Sequence, residues 1–142
     1  MSEQLAQFYF LVETGLRELE IDPSQCKGDL PGQWNLAFGD IIIGIDVWSI
    51  PEQNNKVVFQ VQTALARIPE ENVEAFYKEL LEVNYIMYGI AFSMVDGVIY
   101  LKTMRDAHDM HHNDVVDAIR LCGFYAEHYG NQFVKDFNVQ LY

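Results

Sequence analysis

The amino-acid sequence predicts an α+β fold in which an antiparallel sheet of about five strands packs against helices. Three observations support this prediction. Three segments carry apolar residues at helical spacing, five shorter segments are typical of strands, and an Asp-Gly pair joins the last two of those strands. Along the chain the order is one helix, three strands, one helix, two strands and a long final helix, written α-βββ-α-ββ-α.

The composition indicates one domain covering residues 1–142, because half of the residues are hydrophobic and suffice for a sizeable core. The formal net charge of −12 repels phosphate backbones and anionic lipids, so we expect neither nucleic acid nor a membrane as partner. The segment Met1–Gln4 lacks the positive charge that opens a signal peptide, and no apolar run reaches the ~18 residues of a membrane span. We therefore expect a cytoplasmic protein.

The first half of the chain is predicted to form a helix and three strands. The helix ends at Asp22–Pro23, because the residue before a proline is pushed out of the α region. Strands over Gln33–Phe38 and Ile41–Ser49 are joined by a two-residue turn at Gly39–Asp40. The apolar residues that carry the helix are Leu5, Phe8, Val12, Leu16 and Leu19, and those of the third strand are Val57, Phe59, Val61 and Leu65.

The second half is predicted to form a helix, a hairpin and the long final helix. Pro69 opens the middle helix, and strands over Ile86–Val95 and Val98–Met104 are joined by the Asp96–Gly97 turn. The final helix runs from about Asn113 to about Phe137. Its apolar stripe is Val115, Ile119, Cys122, Ala126, Tyr129 and Phe133, and that of the middle helix is Val73, Phe76, Leu80 and Val83. Glycines inside the first and last helices, Gly15 and Gly123, indicate a close helix crossing or a kink.

A family resemblance is carried by the segments Phe76–Tyr85 and Gly89–Ser93, the Asp96–Gly97 hairpin, a strand ending at Lys102–Thr103 and the amphipathic final helix. With these features the chain resembles the bacterial YbjN-type family, whose domain is similar to the Tir-type chaperones of type III secretion. The resemblance covers nearly the whole chain. It implies a type III secretion chaperone-like fold and a homodimeric, cytoplasmic, non-catalytic protein that holds or regulates other proteins without a cofactor.

The segment before the final helix departs from that family, for which a short connector containing proline is expected. It contains three histidines, His108, His111 and His112, with Asp106, Asp109 and Asp114 beside them. Histidines at this spacing share one face of a helix and suit zinc or nickel, so a metal-binding or metal-sensing protein is the alternative function. The other interpretation is a solvated loop that enters the helix, with Asn113 or Asp114 as the N-cap. We favour the loop and predict no metal site.

No residue set predicts catalysis. No serine or cysteine lies in a G-x-S-x-G nucleophile elbow. Cys122 lies on the apolar stripe of the final helix, where a buried thiol is the ordinary interpretation, whereas Cys26 lies in a loop and its exposure is left open. We expect a protein that is not an enzyme.

The candidate sites are therefore surfaces for other proteins. Trp34, Ile42, Trp48 and Tyr100 are predicted to contact a partner protein, because Trp48 and Ile42 lie on a face of their strand that mixes apolar and polar residues. Helices or a second copy that cover both faces of the sheet are the alternative. Phe76, Tyr77 and Leu81 of the middle helix are predicted to form a homodimer interface. The sequence thus favours a homodimeric protein-binding module with a chaperone-like or regulatory role, and leaves the partner open.

Overall fold

In the computed structural model of the chain, the backbone is described for residues 2–142 and side chains from Leu5 onward. Three α-helices and five strands form in this part of the chain. The helices are α1 (Ser2–Glu18), α2 (Val73–Ile86) and α3 (His112–Phe137); the strands are β1 (Gln33–Phe38), β2 (Ile41–Ile50), β3 (Lys56–Arg67), β4 (Ala91–Val95) and β5 (Val98–Asp106). The strands form one antiparallel sheet in the order β1-β2-β3-β5-β4. This confirms the predicted α+β fold class.

The helices lie against one face of the sheet, and together they enclose the core. α3 packs along β3, β2 and β5, α1 packs on α3 and β2, and α2 packs on β4. Aromatic rings from α2, α3 and β4 contact one another in the core. The centroid of the Phe133 ring lies 5.3 Å from that of Phe76 and 5.5 Å from that of Phe92. The whole predicted stripe of α3 is buried, which confirms it. Within the described residues, no helix is long and apolar enough to cross a membrane.

The Asp96–Gly97 turn has the geometry that its sequence predicts. Asp96 has φ 50° and Gly97 has φ 77°, and a type I′ hairpin needs positive φ at both central residues. The turn sets Val95 opposite Val98, so the hairpin begins with an apolar pair.

Several predicted boundaries are wrong by a few residues, and in two cases the cause is a specific contact. α1 ends at Glu18 instead of Asp22–Pro23, because Glu20 adopts φ 62° and the amide of Ile21 donates to the carbonyl of Leu16 at 2.9 Å. The fourth strand begins at Ala91 and not at Ile86, since α2 continues through Ile86.

Asn84, in the last turn of α2, fixes where that strand begins. Its side-chain oxygen accepts from the amide of Phe92 at 2.7 Å, and its side-chain nitrogen donates to the carbonyl of Phe92 at 3.2 Å. α2 itself begins at Val73, later than the predicted start at Pro69. β5 extends past Met104 to Asp106 because β3 continues alongside it.

The two helical glycines mark close contacts, as the sequence indicates. A Cβ at Gly15 would lie 2.8 Å from Cβ of Val115, and one at Gly123 would lie 2.6 Å from the ring of Phe38. Gly15 therefore allows α1 to approach α3 closely, and Gly123 allows the β1–β2 hairpin to approach α3.

Gly15→Ala is expected to destabilise the protein by about 1 kcal/mol, although alanine has the higher helix propensity. The reason is that Val115 is fully buried, so that its Cβ cannot move away. Gly130→Ala in α3 is the matched control, because its Cβ would meet only the ends of two leucine side chains at 3.4 Å. Thermal unfolding followed by circular dichroism should place the Gly15 variant below the wild type and the Gly130 variant at or above it. Equal melting temperatures for the two variants would contradict the close crossing.

Candidate protein-binding surfaces

The sheet face opposite the helices is the first candidate surface, and we call it the open face. Ile42 and Trp48 lie on it, because alternate residues of β2 point to opposite sides and Ile43, Ile45 and Val47 fill the core. The open face also carries Val58, Gln60, Gln62 and Ala64 of β3 and Tyr100, Lys102 and Met104 of β5, as the strand register requires.

Apolar side chains remain accessible on the open face. Ile42 is 62% exposed and Met104 is 51% exposed, while Trp48 and Tyr100 are half-buried. A hydrogen bond at 3.3 Å from the amide of Gln60 to the carboxylate of Asp46 provides polar contacts between the apolar ones. This mixed surface suits an amphipathic segment of another chain.

Trp34 does not belong to this surface, which corrects the predicted set. It faces the helices, is 3% exposed, and packs edge-on against Tyr9 with ring centroids 5.7 Å apart. Its indole nitrogen donates to the carboxylate of Glu13 at 3.3 Å. The sequence contained the signal. A two-residue turn at Gly39–Asp40 sets Trp34 opposite Ile45, and the face of the second strand that carries Ile45 is wholly apolar: Ile41, Ile43, Ile45 and Val47.

The outer side of α2 and the neighbouring edge strand form a second candidate surface. The phenol of Tyr77 lies 3.6 Å from the sulfur of Met94, which joins α2 to β4. Leu81 is 69% exposed, but Phe76 is fully buried in the core and cannot contact a second copy. We call this the α2–β4 surface; its exposed apolar residues are Leu81, Tyr85, Ile86 and Met94.

The start of α3 explains part of the histidine-rich connector. His111 is the N-cap residue, so the predicted N-caps Asn113 and Asp114 lie inside the helix. The carboxylate of Asp114 accepts from the backbone amide of His111 at 2.8 Å and lies 3.5 Å from the guanidinium of Arg105. Asp114 thus holds the end of β5 next to the start of α3.

The three histidines do not converge on a common point. Nδ1 of His112 lies 2.5 Å from a carboxylate oxygen of Glu18, so this residue links α3 to the end of α1. His108 is exposed, and its Nε2 lies 3.8 Å from a carboxylate oxygen of Asp109, its neighbour in the chain. Among the described residues, no three His, Cys, Asp or Glu side chains are placed to hold a metal ion. The alternative function as a metal sensor therefore gains no support from the geometry.

Chelation is expected to leave folding unchanged. A structural zinc ion typically contributes on the order of 10 kcal/mol, so a site-dependent domain would unfold when the metal is removed. We expect the same melting temperature with and without EDTA, both for the wild type and for a variant with His108, His111 and His112 replaced by asparagine. A large decrease on adding EDTA that the histidine replacement abolishes would contradict this.

Both cysteines are free and buried, including Cys26, whose exposure the sequence left open. Burial raises the pKa of Cys122 to about 12, and burial together with the charges of Asp22 and Glu13 raises the pKa of Cys26. The thiolate is the reactive form, so neither residue is suited to nucleophilic catalysis at neutral pH. We expect both thiols to resist a thiol reagent at about pH 8 in the folded protein and to react after unfolding. Rapid reaction of the folded protein would contradict the burial.

Comparisons with solved structures find the same fold in chains of three protein complexes. A chain of the HopA1–SchA chaperone–effector complex matches with a TM-score of 0.68 and 10% identity, covering 92% of this chain and 98% of its own. A chain of the ExsC–ExsE complex matches with a TM-score of 0.67 and 13% identity, covering 89% and 92%. A chain of the heterodimeric ExoU–SpcU complex from the type III secretion system of Pseudomonas aeruginosa has a TM-score of 0.59 and 12% identity, covering 87% and 94%.

The chain thus has a type III secretion chaperone-like fold, as the family resemblance implies. At these identities the likeness concerns the fold alone. No family model matches the chain, and no curated protein matches it either. The finer resemblance to the YbjN-type family stays a prediction.

Proposed function

We propose that this chain is a non-catalytic, chaperone-like protein that binds another protein, acts as a homodimer and works in the cytoplasm, with residues 1–142 as a single domain. One observation carries the proposal: the open face presents exposed apolar residues. Chains with the same fold occur in solved structures of protein complexes. Burial raises the pKa of both thiols, which argues against nucleophilic catalysis by cysteine.

The open face is the proposed partner site. Ile42, Trp48 and Tyr100 supply apolar contact, and Gln62 supplies a side-chain amide for hydrogen bonds. The net charge of −12 attracts basic segments, so an amphipathic segment with lysine or arginine residues is the expected ligand.

The α2–β4 surface is the proposed homodimer interface, with Leu81 near its centre and Tyr77 at its inner side. Two copies of an acidic chain repel each other, so an interface must gain its stability from apolar contact. The exposed leucine, isoleucine and tyrosine side chains of this surface provide that contact.

Capture of the native partner tests the proposal. The tagged protein is isolated from its own cells, the co-purifying protein is identified, and the purified pair is titrated by calorimetry. Trp48→Glu is expected to weaken binding at least about tenfold, because a carboxylate replaces an aromatic contact. Leu30→Glu introduces the same charge at a residue that is 64% exposed outside the open face, and should leave the affinity unchanged. Failure of any protein to bind the purified chain, or equal losses in both variants, would overturn the proposed site.

A further inference from the structure

The sheet divides at one end, where β2 and β3 separate. Pairing of β2 with β3 runs from Ile50 opposite Lys56 to Gly44 opposite Gln62. Beyond Gly44, the first residues of β2 pair only with β1, and the last residues of β3 pair with β5. The hydroxyl of Thr63 donates to the carbonyl of Ile42 at 2.7 Å and marks the point where the two strands part.

The space between the separated strands is a large cavity, which we call the wedge. Its volume is about 1140 Å³, slightly above the ~300–1,000 Å³ of ordinary ligand pockets. One wall is the β1–β2 hairpin, the other is the end of β3, and α3 forms the floor. The apolar side chains that line it include Phe38, Ile41, Ile42, Leu65, Ala126 and Leu141.

The C-terminal segment lies at one side of the wedge and pairs with the end of β3 through an isolated bridge. The amide of Arg67 donates to the carbonyl of Gln140 at 3.0 Å, and the amide of Tyr142 donates to the carbonyl of Leu65 at 3.0 Å. Leu141 forms an antiparallel bridge with Ala66. The free edge of β3 therefore accepts an extended chain through main-chain hydrogen bonds.

The other side of the wedge has no such partner within the described chain. The start of β2 is paired on its β1 side only, and the C-terminal segment is paired on its β3 side only. Two strand edges with unpaired positions thus face each other across an apolar cavity. Exposed strand edges of this kind bind extended peptides by adding them to the sheet.

We propose that the wedge binds an extended segment of a partner protein, which completes the sheet between the start of β2 and the C-terminal segment. This inference rests on the proposed function and names the part of the partner that is bound. Alternate side chains of the segment are apolar and face α3, and the others are basic. Charge favours a basic segment, because two of the three charged side chains at the wedge are the acidic Asp40 and Glu127, with Arg120 as the third, and the chain carries −12 overall.

Synthetic peptides test the chemistry of the site. The probe is a fluorescein-labelled peptide of about nine residues, a normal strand length, in which valine and lysine alternate. Binding to the full chain is measured by fluorescence anisotropy in about 0.1 M salt, where a moderate charge effect is still visible. The basic peptide is expected to bind. Its counterpart with glutamate for lysine, and its N-methylated form lacking alternate amide donors, should each bind at least about tenfold more weakly.

A matched pair of variants locates the site. Ile42→Arg places a cation at the wedge and is expected to weaken binding of the basic peptide at least about tenfold. Leu30→Arg makes the same change of charge outside both the wedge and the open face, at a residue that is 64% exposed, and should bind normally. Hydrogen exchange should slow in residues 41–43 and 140–142 when the basic peptide binds. Circular dichroism of both variants confirms that each is folded.

The outcomes separate this inference from the proposed function. No binding of the basic peptide, equal binding of the N-methylated peptide, or equal losses in Ile42→Arg and Leu30→Arg would overturn the wedge as the site. If the native partner binds and only Trp48→Glu weakens it, the proposed function stands without the wedge. If the basic peptide binds at the wedge but no native protein does, the proposed function fails instead.

Discussion

Phe76→Ala is expected to lower the free energy of unfolding by about 3–5 kcal/mol, the largest stability effect that we predict for a single side chain. Phe76 is fully buried, and its ring lies 5.3 Å from that of Phe133 and 5.2 Å from that of Phe137. Removal of the ring leaves a cavity between α2 and α3 and removes two edge-on aromatic contacts. Urea denaturation followed by tryptophan fluorescence measures the loss.

Tyr77→Ala is the neighbouring control. Tyr77 is half-buried on the same helix and contacts Met94, so its replacement should cost much less than that of Phe76. If Phe76 were an interface residue, as the sequence suggests, its effect would grow or shrink with protein concentration. A loss of unfolding free energy that depends on protein concentration, or one no larger than that of Tyr77→Ala, would indicate that Phe76 is an interface residue after all.

The sequence predicts the order of the elements because each one is determined by neighbouring residues. The stripe of α3, from Val115 to Phe133, follows from helical spacing, and all six of its residues are buried. The Asp96–Gly97 turn follows from the positive φ values that these two residues tolerate. Neither prediction needs knowledge of distant parts of the chain.

Element ends were less predictable because tertiary contacts determine them. No local pattern indicates that Asn84 would bond both backbone groups of Phe92 and so delay the fourth strand to Ala91. Likewise β5 continues to Asp106 only because Val58 of β3 pairs with it. Such long-range pairing overrides the local composition of the strand ends.

The candidate surfaces were only partly predictable for the same reason. Ile42 and Trp48 follow from alternation along one strand, and the turn length could have assigned Trp34 to the core. The wedge depends on the divergence of β2 from β3 and on the place where Leu141 meets Ala66. These positions are distant in sequence, so no spacing pattern indicates that they meet.

Loss of the dimer is the second large expected effect. In the wild type, light scattering should give about twice the 16.4 kDa chain mass at micromolar concentration, and moderate salt should not dissociate the dimer because its contacts are apolar. The double variant Leu81→Glu, Tyr85→Glu should be monomeric, since it places two carboxylates in the centre of the α2–β4 surface of each copy. Both side chains are exposed in one protomer, 69% and 81%, so the fold should survive the change.

Leu30→Glu is the control for the added charge, because Leu30 is 64% exposed but lies in the loop before β1, away from α2. It should remain dimeric, which separates loss of apolar contact from general repulsion between acidic chains. A wild type that is monomeric at micromolar concentration would contradict the homodimer. A dimer that persists in the double variant would move the interface elsewhere, and the open face would then be the next surface to test. In that case Trp48→Glu should dissociate the dimer, and the partner and the second copy would compete for one surface.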